Sequence, residues 1–445
     1  MLNLLLISWA LFAGLLMTRI TNIFRLPDVT AYLIVGVLIG PSILGKLGIQ
    51  GIGFASFEEV ERLSIISDVA LGFIAFAIGN EFKLSDLKQI GKQAFVIGVF
   101  QATVAAICVD IALMLMHIIM PDVVTVPMAI TLGAIAAATA PAATLMVIKQ
   151  YKAKGPVTDI LLPVVALDDA VGLVIFAASF GAASAIISGT ANILNLIVEP
   201  ILEIVMSLLL GSAVAIILTY LESKFRSNTN RLILIIGSII LTVAIAKVSF
   251  KFGSFGGSFS PLLVCMMLGT VFCNMCPLSD ELMDISGKWS QPILVLFFVL
   301  SGAELDLAVF RNPIVVLVGV IYILTRSFGK YIGARISANM VGSIDAVKKY
   351  LGITLLPQAG VALGMSAIVA RSLGTNGLLI RNITLFGVLI YELVGPNLTK
   401  IALIKAGEIT EKPKEVENRR DKKLRDAKLK NSKFYRFISR IIKLK

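Results

Sequence analysis

Histidine is all but missing: His117 is the single one in 445 residues. One imidazole at the end of an apolar run leaves no histidine pair for a metal centre, so any pH response has to come from carboxylates. Cysteine is nearly as scarce, at four. Cys108, Cys265, Cys273 and Cys276 give no disulfide framework, and Cys273-Asn-Met-Cys276 is a single C-x-x-C without the second ligand pair that a zinc site needs. Charge is short too: 15% of residues are Asp, Glu, Lys or Arg, against about a quarter in soluble domains. Hydrophobic residues reach 57%. Such a chain belongs in a bilayer, and its many separate apolar runs of helical length make it polytopic and α-helical rather than a barrel. Nothing between the runs is long enough for an extramembrane catalytic domain, which excludes a soluble-type enzyme. The opening run, Leu2 to Met17, has neither a basic leader nor a small-residue cleavage site and reads as the first spanning helix. The net charge of +12 collects at helix ends and in the tail, where it reports membrane orientation and not nucleic-acid binding.

The apolar runs divide into thirteen spanning segments, approximately 2–18, 29–45, 63–82, 94–119, 126–148, 158–181, 197–220, 230–248, 259–275, 290–308, 313–336, 349–371 and 378–404. Placing the N-terminus outside puts Arg19, Arg25, Lys83, Lys88, Lys92, Lys149, Lys152 and Lys154 in the cytoplasm, while the opposite loops keep chiefly Lys46, Arg62, Lys247, Lys251 and Arg311. The positive-inside rule therefore favours a cell-membrane protein with its N-terminus out and its C-terminus in. Residues 1–406 form the membrane domain, and 407–445 a basic cytoplasmic tail. The tail is charged from Glu411 to Lys430 and then amphipathic, with Phe434, Phe437, Ile438, Ile441 and Ile442 on one helical face against Lys433, Arg436, Arg440 and Lys443. Such a helix suits the anionic cytoplasmic leaflet.

An internal repeat organises the membrane domain. Ile78-Gly79-Asn80-Glu81-Phe82-Lys83-Leu84 recurs 223 residues later (78 to 301) as Ser301-Gly302-Ala303-Glu304-Leu305-Asp306-Leu307. At the same offset Ile130-Thr131-Leu132 matches Ile353-Thr354-Leu355, and Asp169-Ala170-Val171-Gly172 matches Glu392-Leu393-Val394-Gly395. The repeat covers seven segments, an odd number, so the copies run inverted through the membrane, the architecture of alternating-access transporters. Segments 1–6 and 8–13 make the two units, and segment 7 links them. The fifth segment of each unit is expected to be broken. One carries Ala140 and Pro141 among small residues; the other carries Pro357 and Gly360 within Leu356-Pro357-Gln358-Ala359-Gly360. Proline removes a backbone donor, and unwound backbone at this depth survives only where it lines a cavity or is buried in protein. Two broken helices crossing near an acid pair describe an ion site with opposed half-helix dipoles.

That acid pair is Asp168-Asp169, in the middle of the sixth segment. A charge at bilayer depth costs at least ~2.5–3.5 kcal/mol, so such residues face a cavity and do work, or else form a buried pair held for structure alone. Neighbouring helix positions point about 100° apart, so one acid can face a water-filled site while the other meets a partner. Hard oxygen donors for a hard ion are Asp169, with Asp168, Thr139 and carbonyls freed by the break. Arg326 and Lys330, four apart on one face of segment 11, supply counter-charge. Lys330 has the alternative of snorkelling to the interface, while Arg326 lies deeper. Asp110 in segment 4 is a further intramembrane acid without an assigned role beyond a possible pair with that face.

Together these residues resemble the cation:proton antiporter superfamily, and within it the bacterial and archaeal sodium/proton antiporters of the NapA and NhaA type. The resemblance rests on Leu26-Pro27 leading into Gly36-Val37-Leu38-Ile39-Gly40-Pro41-Ser42, on Thr139-Ala140-Pro141, on Asp168-Asp169 and on Arg326-Ser327-Phe328-Gly329-Lys330. It implies an all-α polytopic membrane protein of the NhaA-like fold, with about thirteen transmembrane helices in two inverted repeats and two crossed discontinuous helices. It implies a dimer-forming scaffold of segments 1–3 and 8–10, and a core of segments 4–6 and 11–13 that moves as an elevator. Asp169 would carry the transported Na⁺ or proton, and Asp168 would pair with a basic residue on segment 11. The spacing of Arg326-Ser-Phe-Gly aligns with the family's basic position better than Lys330 does, and the choice between the two stays open. An arginine stays protonated whereas a buried lysine can release its proton, so the choice bears on electrogenicity; the double Asp is the pattern of the electrogenic class. The expected activity is exchange of cytoplasmic Na⁺ or Li⁺ for external H⁺, with no cofactor. The expected partners are the monovalent cation, the lipid bilayer and a second copy of the chain, and not nucleic acid. A potassium/proton antiporter of the same fold and a cation-coupled organic-solute symporter are the rival readings. A channel is disfavoured, because paired buried charges hold an ion too tightly for fast conduction.

Overall fold

In lipid every backbone donor and acceptor must be satisfied within its own segment, so long apolar runs become helices. The computed structural model describes residues 2–409 apart from 22, 24–25, 48–52, 81, 85–90, 141–143, 146, 149–150, 188, 190–192 and 253–254. Pro141 and the tail with its expected amphipathic helix lie outside the described residues. The first helices are α1 (Leu2–Thr21), α2 (Asp28–Ile39), the short α3 (Phe57–Glu61), α4 (Ser64–Asn80), α5 (Lys92–Ile119), α6 (Val126–Ala137) and α7 (Pro156–Ile187). They are followed by α8 (Ile193–Glu222), α9 (Asn228–Ala246), α10 (Pro261–Met275) and α11 (Ser279–Ala303). The last four are α12 (Pro313–Met340), α13 (Asp345–Thr354), α14 (Gly360–Ser372) and α15 (Gly374–Lys405). Eight of them are long and apolar enough to cross a membrane, and α4, α6, α10 and α14 are shorter apolar helices. Local sequence marks the starts. Thr125 Oγ1 accepts from the Met128 N–H, Asn312 Oδ1 accepts from the Ile314 N–H, and prolines occupy the first turn of α6, α10 and α12.

The chain departs from the all-helical expectation at a hairpin between α9 and α10, where β1 (Ser249–Phe252) pairs antiparallel with β2 (Phe255–Ser258). Ser249-Phe-Lys-Phe alternates polar and aromatic residues, a period of two that suits a strand and no helix.

Two groups of helices pack within themselves more than on each other. In the first, α2 lies along α11 and α4 along α10, with α1 and α9 beside them. Gly79 of α4 and Gly269 of α10 meet without side chains: a Cβ on either would lie 2.1 Å from a carbonyl oxygen of the opposing helix. Small residues let the two backbones touch, the means by which helices associate in lipid. The second group comprises α5, α6, α7, α12, α13, α14 and α15, built around the long contact of α5 with α12. Helix α8 leans on α10 and on α7.

Helix lengths recur along the chain. Helices α5 and α12 have 28 residues each, and α7 and α15 have 32 each. The offset between copies is not constant, however. It is 223 where α4 and α11 end (80 to 303), 221 where α5 and α12 begin (92 to 313) and 218 where α7 and α15 begin (156 to 374). Loops of unequal length absorb the difference. Glu392 therefore stands five residues further along α15 than Asp169 stands along α7, and the sequence match between them is not a match of helix position.

Candidate functional site

Both expected breaks lie in the interior. Helix α6 stops at Ala137, and Ala138 leaves it in extended form (φ −68°, ψ 144°). Opposite, α13 stops at Thr354, and residues Leu355 to Ala359 run unwound before α14 begins. The break thus falls on Pro357; Gly360, expected inside it, is instead the first residue of the second half-helix. The two unwound stretches bond to each other. Ala140 N–H donates to the Pro357 carbonyl (2.9 Å), and Thr139 Oγ1 donates to the Leu355 carbonyl (3.3 Å).

A helix ending inside leaves its last carbonyls without partners and concentrates partial negative charge there. At the end of α6, side chains take these carbonyls one after another. Gln358 Nε2 donates to Ile135 O (2.9 Å), Arg326 Nε to Ala136 O (3.0 Å), Lys330 Nζ to Ala137 O, and Arg326 Nη2 to Ala138 O (2.7 Å). Arg326 Nη1 reaches the other break at Leu356 O (2.7 Å), and its guanidinium lies 4.5 Å over the Tyr391 ring. Arg326 and Lys330 are both fully buried. Two cations at this depth are tolerable because helix-end carbonyls and an acid surround them.

The acid is Asp168, and the cation that meets it is Lys330. Lys330 Nζ donates to Asp168 Oδ2 (2.7 Å) and to Thr139 Oγ1 (2.9 Å) besides Ala137 O. Those three acceptors match the three protons of an ammonium. Arg326, favoured by spacing, donates to the carbonyls of Ala136, Ala138 and Leu356, and it is Lys330 that forms the ion pair with Asp168. The arginine's planar fork suits several carbonyls at once, whereas an ammonium is a compact point charge. Lys330 does not snorkel. The other Asp168 oxygen, Oδ1, accepts from Gln101 Nε2 (2.5 Å), which also donates to Gly98 O (3.0 Å). Gln101 went unnoticed in the sequence, although a buried amide in the middle of a 28-residue apolar helix is itself a signal. Asp110, also on α5, lies against Gly133 of α6 and bonds neither Arg326 nor Lys330 among the described residues.

Asp169 faces another way. With Thr139, Ala140 and Gly360 it lines a cavity of about 970 Å³, walled by Phe73, Ile74 and Phe298. The lining also includes Asp28, Asn80, Asp280, Asp284 and Lys288, of which Asp280, Asp284 and Lys288 are exposed. Asp169 itself is 3% exposed, and Asp168 is not part of the cavity wall. The 100° between neighbouring helix positions has separated one acid from the other.

The helix bearing the pair is fixed at its start from far along the chain. The Glu408 carboxylate accepts from the N–H of Val157 (2.6 Å), the N–H of Thr158 (2.9 Å) and the Thr158 hydroxyl (2.7 Å). An anion there satisfies open donors and meets the positive end of the helix dipole. Gly155 leaves it room, since a Cβ would lie 2.6 Å from the Glu408 side chain. Among the described residues no group of three or more His, Cys, Asp or Glu side chains is arranged to hold a resident metal.

A family model described as sodium/hydrogen exchanger, transmembrane, matches residues 7–405. Two proteins of Synechocystis sp. are similar over much of the chain. The high-affinity Na⁺/H⁺ antiporter NhaS3 is 23% identical over 347 residues, 76% of this chain and 71% of that protein. The Na⁺/H⁺ antiporter NhaS4 is 25% identical over 359 residues, 78% and 83% of the two chains. In three dimensions the chain resembles the sodium proton antiporter MjNhaP1 of Methanocaldococcus jannaschii at pH 8, with a TM-score of 0.70 and 18% identity over 90% of this chain and 97% of that one. A second structure of MjNhaP1 gives 0.62 and 16% identity over 91% and 98%. Likeness at that identity speaks for the fold alone. The family model, by contrast, reaches from within α1 to the last residue of α15, and its members are transporters, not enzymes. The chain belongs to the sodium/hydrogen exchanger family of cation:proton antiporters.

Proposed function

We propose that this chain is a secondary active antiporter exchanging Na⁺ or Li⁺ for protons across the cell membrane. The observation that carries the reading is the division between adjacent acids: Asp169 lines the cavity, while Asp168 is taken by Lys330 and Gln101. A proton and a dehydrated cation then compete for one carboxylate, with the Thr139 oxygen and the carbonyls of the breaks as hard donors nearby. If the site crosses the membrane only when Asp169 is occupied, the two fluxes are coupled.

In this reading thirteen helices cross the bilayer as two inverted repeats. Helices α1, α2, α4, α9, α10 and α11 are the scaffold through which two copies associate. Helices α5 to α7 and α12 to α15 are a core that moves as an elevator, α8 joins them, and the membrane domain ends at residue 406. The equal lengths of α5 and α12 and of α7 and α15, and the two packing groups, support this arrangement. The N-terminus lies outside and the tail lies on the cytoplasmic leaflet. The pairing of Asp168 with a lysine, which can release its proton, supports electrogenic exchange. A potassium/proton antiporter differs only in ion size. A cation-coupled solute symporter of the same architecture is the other rival, and the ion-by-ion efflux test below separates it, since silence with Na⁺, Li⁺ and K⁺ favours the symporter.

The test is proton efflux from proteoliposomes under an imposed pH gradient on adding Na⁺, Li⁺ or K⁺, with the potential clamped or free. Na⁺ and Li⁺ are expected to drive efflux, K⁺ not, and Asp169→Asn to abolish it in a folded protein. A response to K⁺ alone moves the assignment to the potassium antiporter. Cation-driven efflux surviving in Asp169→Asn overturns the assignment of the site.

A further inference from the structure

The cavity reaches Asp169 from one face, and helices α4 and α14 run from that cavity to the opposite face. Residues between Phe73 and Asn80 of α4 line the cavity, whereas Asp68 sits in its first turns. Gly360 and Val361 of α14 line it too, whereas Arg371 sits in its last turn. At 1.5 Å per residue, Arg371 is about 15 Å from Val361 along the axis. Between the cavity and these charges, Leu71 seats directly on Gly364: a Cβ there would lie 2.4 Å from Leu71 Cδ2. Leu71 is buried. Beyond it Asp68 is ion-paired with Arg371, and also with Lys247 just past α9. Arg371 further donates to the Ser64 carbonyl (3.4 Å). A second pair, Arg381 of α15 with Glu304 at the end of α11, is flanked by the Asp306 N–H donating to Asn382 Oδ1 (2.9 Å). Each pair joins one packing group to the other.

We propose that Asp68 and Arg371, with Leu71 on Gly364 behind them, form the gate of the closed face, a latch that must part whenever the site turns to that side. The inference rests on the alternating-access reading above. Lys247 gives the latch its reversibility. It belongs to the same group as Asp68 and stays with that carboxylate when Arg371 leaves, so opening does not strand an unpaired acid. Arg371, partly exposed at a helix end, regains water on release. The Arg381–Glu304 pair stands closer to the α11–α12 connection and holds the groups together near their hinge. The strength of the latch then sets the ratio of the two facing states without touching the cation.

A thiol placed at Leu71→Cys in the detergent-solubilised full-length protein reads the closed face, with a charged methanethiosulfonate as the probe and the reactivity of native Cys108 subtracted. Adding Asp68→Asn should speed its modification about fivefold. Arg371→Gln should do the same from the other partner, and Arg371→Lys, which keeps the charge, should leave the rate near the parent's. In proteoliposomes, Asp68→Cys with Arg371→Cys bridged by a short bis-methanethiosulfonate should lose exchange to the level of protein-free vesicles and regain it on reduction. Wild-type protein given the same reagent should keep its exchange. Undiminished exchange in the bridged protein overturns the latch, and so does Leu71→Cys reactivity that neither Asp68→Asn nor Arg371→Gln changes. Failure of the untreated wild type to exchange any cation would overturn the antiport reading instead, so the two failures are distinct.

Discussion

Lys330 uses every proton it has, on Ala137 O, Thr139 Oγ1 and Asp168. Removing one partner of a buried ion pair costs about 3–5 kcal/mol because the other charge is left alone. Lys330→Gln is therefore expected to lower thermal stability sharply, and adding Asp168→Asn to recover most of the loss, as a double-mutant cycle on the melting temperature will report. Arg326→Gln should have no such rescue, since its partners are carbonyls of Ala136, Ala138 and Leu356 that no second substitution removes. At this scale the sequence was partly readable. Charges inside apolar runs announce themselves, so Asp168, Asp169, Arg326 and Lys330 were visible as a set. Which cation met which acid was not, because residues 326 and 330 share a helix face and only reach and geometry separate a fork from a point charge. Gln101 carried no charge and so did not stand out.

Among the elements, α7 depends most on a distant residue. Its first donors close on Glu408, and Glu408→Ala removes three hydrogen bonds at once. A lost N-terminal cap costs on the order of 1–2 kcal/mol. The expected readout is faster amide hydrogen exchange at Val157 and Thr158, with protection retained at the end of α15; unchanged exchange at those two amides would refute the cap. Helix positions were legible because lipid forces apolar runs to be helical. Register was not. Loops of different length moved the copies from an offset of 223 to 218, so the match of Glu392 to Asp169 was one of letters and not of place. The hairpin at 249–258 fell in the gap between the segments 230–248 and 259–275, where four-residue strands are too short to show beside helical runs.

For the molecule as a whole, a cation held by Asp169 stabilises whichever folded states bind it. At a hundred times its dissociation constant such a ligand contributes about 2.7 kcal/mol. Melting in NaCl against choline chloride at constant ionic strength should show that gain in the wild type and none in Asp169→Asn; an equal gain in both would place the cation elsewhere. The two packing groups could not be read from hydropathy, which reports that a helix is apolar and says nothing of which neighbour it chooses. Glu408 has a last consequence, for biosynthesis. It lies 250 residues beyond Thr158, so at ~5–20 residues per second the emerging ion-bearing helix waits about 12–50 s for its cap. A nascent chain released before that point carries both aspartates on a helix with an open first turn. Closure of the ion-bearing helix is in this way tied to synthesis of the segment that carries Glu408, long after the helix itself has been made.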